Sequence, residues 1–301
     1  GLSSIMTLNL RYENTYDKEN GWDKRRDEVA RMINFYQPDL LGIQEGLYAQ
    51  VHFLDSALPH YDYIGVGRED GKQQGEYAAI FYNTKKLTCL NQKTYWLSET
   101  PDKVSKGWDA ALERIVTFGT FVAKGKKDTF YVFNCHMDHI GKTAREQSAR
   151  FILHLIDSMC LAKSKVVLTG DMNAEPDEAP LQVFKTRFDD LYQTPSIQHY
   201  GPPGTFNNFK TDQPVTKRID YIFVKNGVNV LTSKIIGQEP PYGTDHAGVV
   251  TSLVTTAQGS TVSKALDSHA RFPITFWQGV GVLLLALIAW RIVRRIRKRR
   301  T

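Results

Sequence analysis

The chain has 301 residues, 42% of them hydrophobic and 23% charged, which excludes a disordered or collagen-like polypeptide and allows one large domain or two ordinary ones. Its net charge of +6 does not mark a general nucleic-acid binder. Seven of the 38 Lys and Arg residues crowd into positions 291–300, leaving 31 against 32 Asp and Glu in residues 1–290, so the main body has no overall pull on polyanions.

In chain order, SSIMTLNLR (3–11) opens as a strand. GWDKRRDEVARMINFYQP (21–38) places Val29, Met32, Ile33 and Tyr36 on one helical face, with Pro38 ending it. DLLGIQE (39–45) reads as a buried strand ending in Glu45, followed by a helix over 48–58 and strands at 61–67, 77–83 and 90–98. Residues 114–139 form a hairpin of β-branched and aromatic strands joined at Lys124–Asp128. An amphipathic helix over 143–162 leads to strand 165–170. After a Pro- and Gly-rich loop at 200–214, which borders a substrate site or simply connects, come strands at 218–224, 228–236 and 246–254. Hairpins mixed with helices predict two packed sheets with helices outside, in one domain, and no repeat interrupts them. Cys89, Cys135 and Cys160 have no CxxC spacing and read as small buried hydrophobes rather than a disulfide or zinc framework.

The tail breaks from this composition. Phe272–Trp290 carries no charge over 19 residues, with Trp277 and Trp290 near its ends and a basic run after it. That length spans a hydrocarbon core of about 30 Å, and interfacial Trp fits both ends. The expected organisation is a catalytic domain over 1–254, a polar linker over 255–271, a transmembrane helix over 272–290 and a basic tail over 291–301. Positive-inside reasoning favours a single-pass protein with an extracytoplasmic domain. No export signal is visible for that, and a tail-anchored cytosolic domain is the competing topology.

Polar residues recur where apolar strands stop: Asn9, Glu45, Glu76, His136 with Asp138 and His139, Asp171 with Asn173, Asp220, and Asp245 with His246. Each alone is a turn, cap or core residue. Together they suit groups held rigidly at one end of a sheet.

The ordered set LNLR, GIQE, GEYAAIFY, YWLSETP, NCHMDH, GDMNAEP, RIDYIFV and TDHAGV, spanning about residues 4–254, resembles the endonuclease/exonuclease/phosphatase superfamily. WLSETP and GWDAALER (Gly107–Arg114) resemble an uncharacterised bacterial-type branch of it. The resemblance implies an α/β fold, a four-layer sandwich of two mixed sheets flanked by helices, and metal-dependent phosphoester hydrolysis. It implies Mg²⁺, with Mn²⁺ as an alternative, held by Glu45, Asn9 and Asp245. By the same resemblance Asp171 orients or deprotonates the attacking water, and Asn173 donates to a phosphoryl oxygen. His246 binds phosphate or protonates the leaving group, with Asp220 fixing its tautomer, and Glu76 orients His136 in the same way. Which histidine is the general acid stays open. Arg114 and Arg218 are the expected substrate-binding cations, while Arg11, Arg25, Arg26 and Lys217 also lie near motifs.

Two departures bear on substrate preference. Ala247 and Gly248 follow His246 where the superfamily carries a bulky residue and Pro, and Cys135-His136-Met137 replaces Thr-His-Leu. The expected activity is a membrane-tethered phosphoesterase acting on a phosphomonoester or phosphodiester, small or lipid-linked. A surface-tethered nuclease is the alternative, although charge does not favour nucleic acid, and a catalytically silent membrane scaffold is the non-enzyme alternative. NCHMDH also resembles the His-x-His-x-Asp-His motif of dinuclear zinc hydrolases, with Asn134 in place of the first histidine. That replacement removes a nitrogen ligand.

Overall fold

The computed structural model describes residues 1–210, 212–237 and 243–255. The expected span at 272–290 and its basic tail lie outside them, as does the expected linker except Thr255, which belongs to the last strand. Among the described residues no helix is long and apolar enough to cross a membrane.

The elements are β1 (Ser4–Asn9), α1 (Trp22–Tyr36), β2 (Leu40–Gln44), α2 (Tyr48–Ala57), β3 (Tyr61–Ile64), β4 (Ile80–Asn83), β5 (Leu87–Trp96), β6 (Ile115–Ala123), β7 (Thr129–His136), α3 (Lys142–Ser158), β8 (Lys165–Asp171), α4 (Ala179–Lys185), β9 (Gln198–Tyr200), β10 (Asp220–Lys225), β11 (Val228–Ile236) and β12 (Gly248–Thr255). One sheet runs β3-β4-β2-β1-β12-β11-β9 and the other β10-β8-β7-β6-β5. Both are mixed: β1/β2, β9/β11 and β7/β8 are parallel and the other pairs antiparallel.

Period-2 alternation sorts the strand residues into layers. In β1, Met6 and Leu8 pack under α1 and α2 with Val29, Ile33, Val51 and Leu54, while Ile5 faces the other sheet. In β8, Val166 and Leu168 meet α3 and α4, while Val167 joins Ile5, Phe121 and Phe130 between the sheets. The result is helix, sheet, sheet, helix. The inter-sheet layer is apolar through most of its depth and becomes polar towards one end. There Asn134 ties the sheets together: Nδ2 donates to the carbonyls of Ile43 (2.8 Å) and Ala79 (3.0 Å), and Oδ1 accepts from Gln44 (2.8 Å) and Thr169 (3.0 Å). Gly42 permits this approach, since a Cβ there would lie 2.3 Å from Oγ1 of Thr169.

β1 and β12 pair antiparallel, Ser4 opposite Ser252 and Thr7 opposite Val249. Asn9 and Gly248 therefore share the polar end, and Thr255 lies roughly 25 Å along the strand from it. Of the cysteines, all free, only Cys135 is buried; Cys160 is exposed just after α3, so the expectation of a buried hydrophobe fails there. The seven-residue α4 and three-residue β9 were not read from the sequence.

Candidate active site

Strand parity decides what meets at the polar end. Asn9, His136 and Asp171 are the last inter-sheet-facing residues of β1, β7 and β8, and Asp220 is the first of β10. Glu45 follows β2 with φ 61, and Asn173 lies two residues past β8 with φ 46. Such left-handed backbone costs a non-glycine residue about 1–3 kcal/mol and persists where surrounding contacts enforce it. Of these residues, Glu45, His136, Asp171 and Asn173, with Glu76, Arg114, Asp245 and His246, line a cleft of about 370 Å³, and Asn9 and Asp220 sit behind them, hydrogen-bonded to Asp171 and His246. A larger groove, about 1080 Å³, lies by Met32, Phe35 and Tyr200; it is mostly apolar.

A chain of hydrogen bonds crosses the cleft floor. Nδ2 of Asn9 donates to Oε1 of Glu45 and to Oδ2 of Asp171, both at 3.0 Å, while its Oδ1 accepts from the backbone N–H of Arg11 (2.9 Å). Two carboxylates on one side and an N–H on the other fix this amide's orientation. Asn9 therefore turns its donors to the two acids and spaces them, while its oxygen is taken up by the Arg11 N–H. Oδ1 of Asp171 accepts from the N–H of Asn173 (2.9 Å). Nδ1 of His246 lies 2.8 Å from Oδ2 of Asp220, which also accepts from Thr205 (2.7 Å). Nε2 of His246 stands 3.8 Å from Asp171.

His136 has different company. Its Nε2 is 3.6 Å from Asp171, and Nη1 of Arg114 lies 3.1 and 3.2 Å from its two ring nitrogens. Glu76 is 3.9 Å away and pairs instead with Arg68, so it does not orient His136 as Asp220 orients His246. Nδ2 of Asn173 donates to the carbonyl of Met137 (2.8 Å) and lies 3.4 Å from His136.

These surroundings separate the two imidazoles. Burial, then Arg114 and Arg68, hold His136 well below the usual histidine range. Burial also works against the charged form of His246, but Asp220, Asp171 and Asp245 outweigh it and hold that ring well above the range. Burial, reinforced by Asp220, pushes Asp171 up to about 7, and burial does the same for Glu76 to about 7 despite Arg68. Asp245 is raised too, by burial first.

Ligand atoms of Glu45, Asp171 and His246 lie within 4.8 Å of one another, as do those of Glu45, Glu76 and His136. Asp245 lines the cleft outside these sets. The crowded, mostly buried carboxylates at the Glu45–Asp171–Asp245 end lack enough cationic partners, and an oxygen-seeking divalent ion fits that donor set.

The other expected cations divide. Arg114 lines the cleft, whereas Arg218 does not: Lys217 and Ile219 face it, and Arg218 between them turns away. Its guanidinium forms a buried fork with Asp190 (2.9 and 2.7 Å) over Tyr192 and Tyr221. Arg25 donates to the carbonyls of Asn20, Leu10, Gly243 and Arg11, organising loops. The structure agrees with setting aside the zinc motif at 134–139, because Asn134 is committed between the sheets and the His139 side chain is half exposed.

Arg68 and Phe206 are among the cleft residues that the sequence did not single out, although the 200–214 loop was read there as a border of the site. Arg68 sits opposite Glu76 at the base of the 66–76 loop, its N–H donating to the Glu76 carbonyl (3.1 Å). The glycines at 67 and 75, bracketing a tight loop, were the available signal. Phe206, from the 200–214 loop, packs edge-on to His246 at 4.9 Å and supplies bulk beside the ring that Ala247 lacks.

A family model described as the endonuclease/exonuclease/phosphatase family matches residues 6–246. An endonuclease/exonuclease/phosphatase family protein from Bacteroides thetaiotaomicron is 36% identical, covering 85% of this chain and 99% of its own, with a TM-score of 0.80. A mannosyl-6-phosphatase from the same species is also 36% identical, over 84% of this chain and 99% of its own, with a TM-score of 0.80. An uncharacterised protein of Acanthamoeba polyphaga mimivirus is 33% identical over 182 residues, 58% of this chain and 67% of that protein.

Proposed function

The chain belongs to the endonuclease/exonuclease/phosphatase family, and we propose that within it this protein is a divalent-metal-dependent phosphomonoesterase for a small, polyhydroxylated phosphate ester. The observation that carries this reading is the hydrogen-bonded line Glu45–Asn9–Asp171 facing the Asp220–His246 pair across one cleft. Similarity to a mannosyl-6-phosphatase over nearly its whole length supports the monoester and the sugar-like leaving group.

Glu45 and Asp245 would hold Mg²⁺ or Mn²⁺, which when bound lowers the charge on the phosphoryl oxygens. Asp171, raised towards neutrality, orients water and takes its proton as the water oxygen bonds to phosphorus. The bond between phosphorus and the ester oxygen breaks, and His246, kept protonated by Asp220, gives its proton to that leaving oxygen. Alcohol and inorganic phosphate result. His136, held neutral, and Asn173 receive phosphoryl oxygens. This pairing of a raised acid group with a raised histidine lets both work near pH 7.

Charge placement weakens the nuclease alternative. A strand-tracking groove needs cations spread along an open surface, but Arg11 is paired with Asp17 and Arg218 with Asp190, while Arg68 and Arg114 are each only 4% exposed, on the cleft wall beside His136. The membrane tether stays part of the proposal on the composition of residues 272–301 alone.

The test is hydrolysis by the full chain, stripped of metal and reloaded with Mg²⁺ or Mn²⁺, on mannose 6-phosphate, p-nitrophenyl phosphate, its bis ester and oligonucleotides. Asp171→Asn is the control. Metal-dependent monoester turnover lost in the control is the expected result; oligonucleotide cleavage as the preferred reaction would replace the proposal with the nuclease.

A further inference from the structure

Two buried arginines border His136, and the chemistry above needs neither. Arg114 and Arg68 are each 4% exposed. Arg114 donates through Nε to Asp138 (3.2 Å), reaches both His136 nitrogens with Nη1 and lies 2.9 Å from His139 through Nη2. Arg68 pairs through Nη2 with Glu76, while its Nε and Nη1 are buried without a hydrogen-bond partner among the described residues. It lines both the cleft and a narrow space behind Glu76.

Their carboxylate partners compensate them incompletely. Asp138 already accepts from the N–H groups of Ala111, Leu112, Ile140 and Gly141, and Glu76 also faces Glu45. Two desolvated guanidiniums on one wall, one with dry donors, are poised for an anion. The Glu45–Glu76–His136 set has the spacing of a second cation site. Yet Arg68 pairs with one oxygen of Glu76 and Nη1 of Arg114 stands within 3.2 Å of the His136 ring nitrogens, so a divalent ion there would meet two fixed positive charges.

We propose that Arg68 and Arg114 stand in for a second metal ion, neutralising the substrate's phosphate at that end of the cleft and making this a one-metal site selective for phosphomonoesters. A monoester dianion carries one more charge than a diester, and a fixed pair of cations rewards that charge. The inference rests on the hydrolase reading above.

Two measurements test it. Calorimetric titration of the metal-free full chain with Mn²⁺ should show one ion bound per chain; two ions would overturn the proposal. Inorganic phosphate should bind the metal-free chain, and Arg68→Lys, which keeps a charge for Glu76 but loses the fork, should weaken it about tenfold. The same variant should lower the ratio of kcat/KM for p-nitrophenyl phosphate over its bis ester by about tenfold. Unchanged phosphate affinity and an unchanged ratio would overturn it, and Arg114→Lys reads the same quantities from the segment ahead of β6 should Arg68→Lys not fold. If neither ester is hydrolysed the hydrolase reading fails, while Mn²⁺ stoichiometry and phosphate binding still decide the role of the arginines.

Discussion

Asp220 and His246 belong to different sheets, and the 2.8 Å contact between them closes the sandwich over the reacting end. Asp220 begins β10 in the five-stranded sheet, while His246 leads into β12 in the seven-stranded one. The carboxylate fixes which ring nitrogen faces the cleft and holds the proton on the ring. Asp220→Asn should therefore cut kcat on the order of a hundredfold or more. With Asp220 neutral, His246 loses its proton at lower pH, so the alkaline limb of the pH–rate profile should move to lower pH. A profile that keeps its alkaline limb while losing rate would point to a purely steric defect.

Arg218→Ala separates the two arginines expected at the site. The Arg218 fork to Asp190 is buried and away from the cleft. Removing one partner of such a pair costs about 3–5 kcal/mol. A lower urea midpoint with kcat/KM kept per folded molecule is expected. Loss of turnover at unchanged stability would return Arg218 to the substrate.

Strand-end acids and histidines were legible because each closes a strand whose alternation shows in the sequence: Asn9 keeps the parity of Ile5, His136 that of Phe130 and Val132, and Asp171 that of Val167. The joining segment at Lys124–Asp128 was legible for the same reason. Arg218 was not, because one residue of shift ahead of β10 changes the face it takes. Asn9 was found as a residue but not as an atom, since its orientation depends on Glu45 and Asp171, from two other strands. Arg68 lies in a loop with no period to read, and only the fold brings it to Glu76. The membrane reading rests on composition, which says where a helix could span and nothing about the site.

Ending the chain at Ala257 should leave the catalytic unit intact. Residues 1–257 form one compact unit, and β12 is anchored there by β1 and β11. The shortened protein should remain in solution without detergent and melt within a few degrees of the full chain, as differential scanning calorimetry would show. A product that fails to fold would mean that the tail contributes to the core.

Asp138 makes acid sensitivity local. Burial favours its neutral form, but the N–H groups of Gly141, Ala111 and Ile140, with Arg114, hold it well below the usual carboxylate range. A depressed folded pKa contributes stability that is complete above the unfolded value of about 3.9 and is lost as pH falls through the folded one. Asp138→Asn should lose about 3 kcal/mol or more at pH 7. Below pH 4 the gap to the native protein should narrow, so urea midpoints at pH 7 and pH 3 check both statements.

The cleft acids work in the opposite sense. Asp171 and Glu76 are held at about 7, and Asp245 is also raised. A carboxyl with a raised folded pKa binds its proton more tightly in the folded state, so folding loses stability as pH rises from about 4 towards 7. Above 7 these groups are ionised beside Glu45, and a bound cation offsets their repulsion; at pH 5 protons compete with it. A ligand at a hundred times its Kd adds about 2.7 kcal/mol to stability. Millimolar Mg²⁺ should therefore raise the Tm of the metal-free protein clearly at pH 8 and much less at pH 5. In Glu45→Gln the gain at pH 8 should shrink, because one carboxylate no longer meets the ion. Equal gains at both pH values, or a full gain in Glu45→Gln, would show that Mg²⁺ acts elsewhere on the protein.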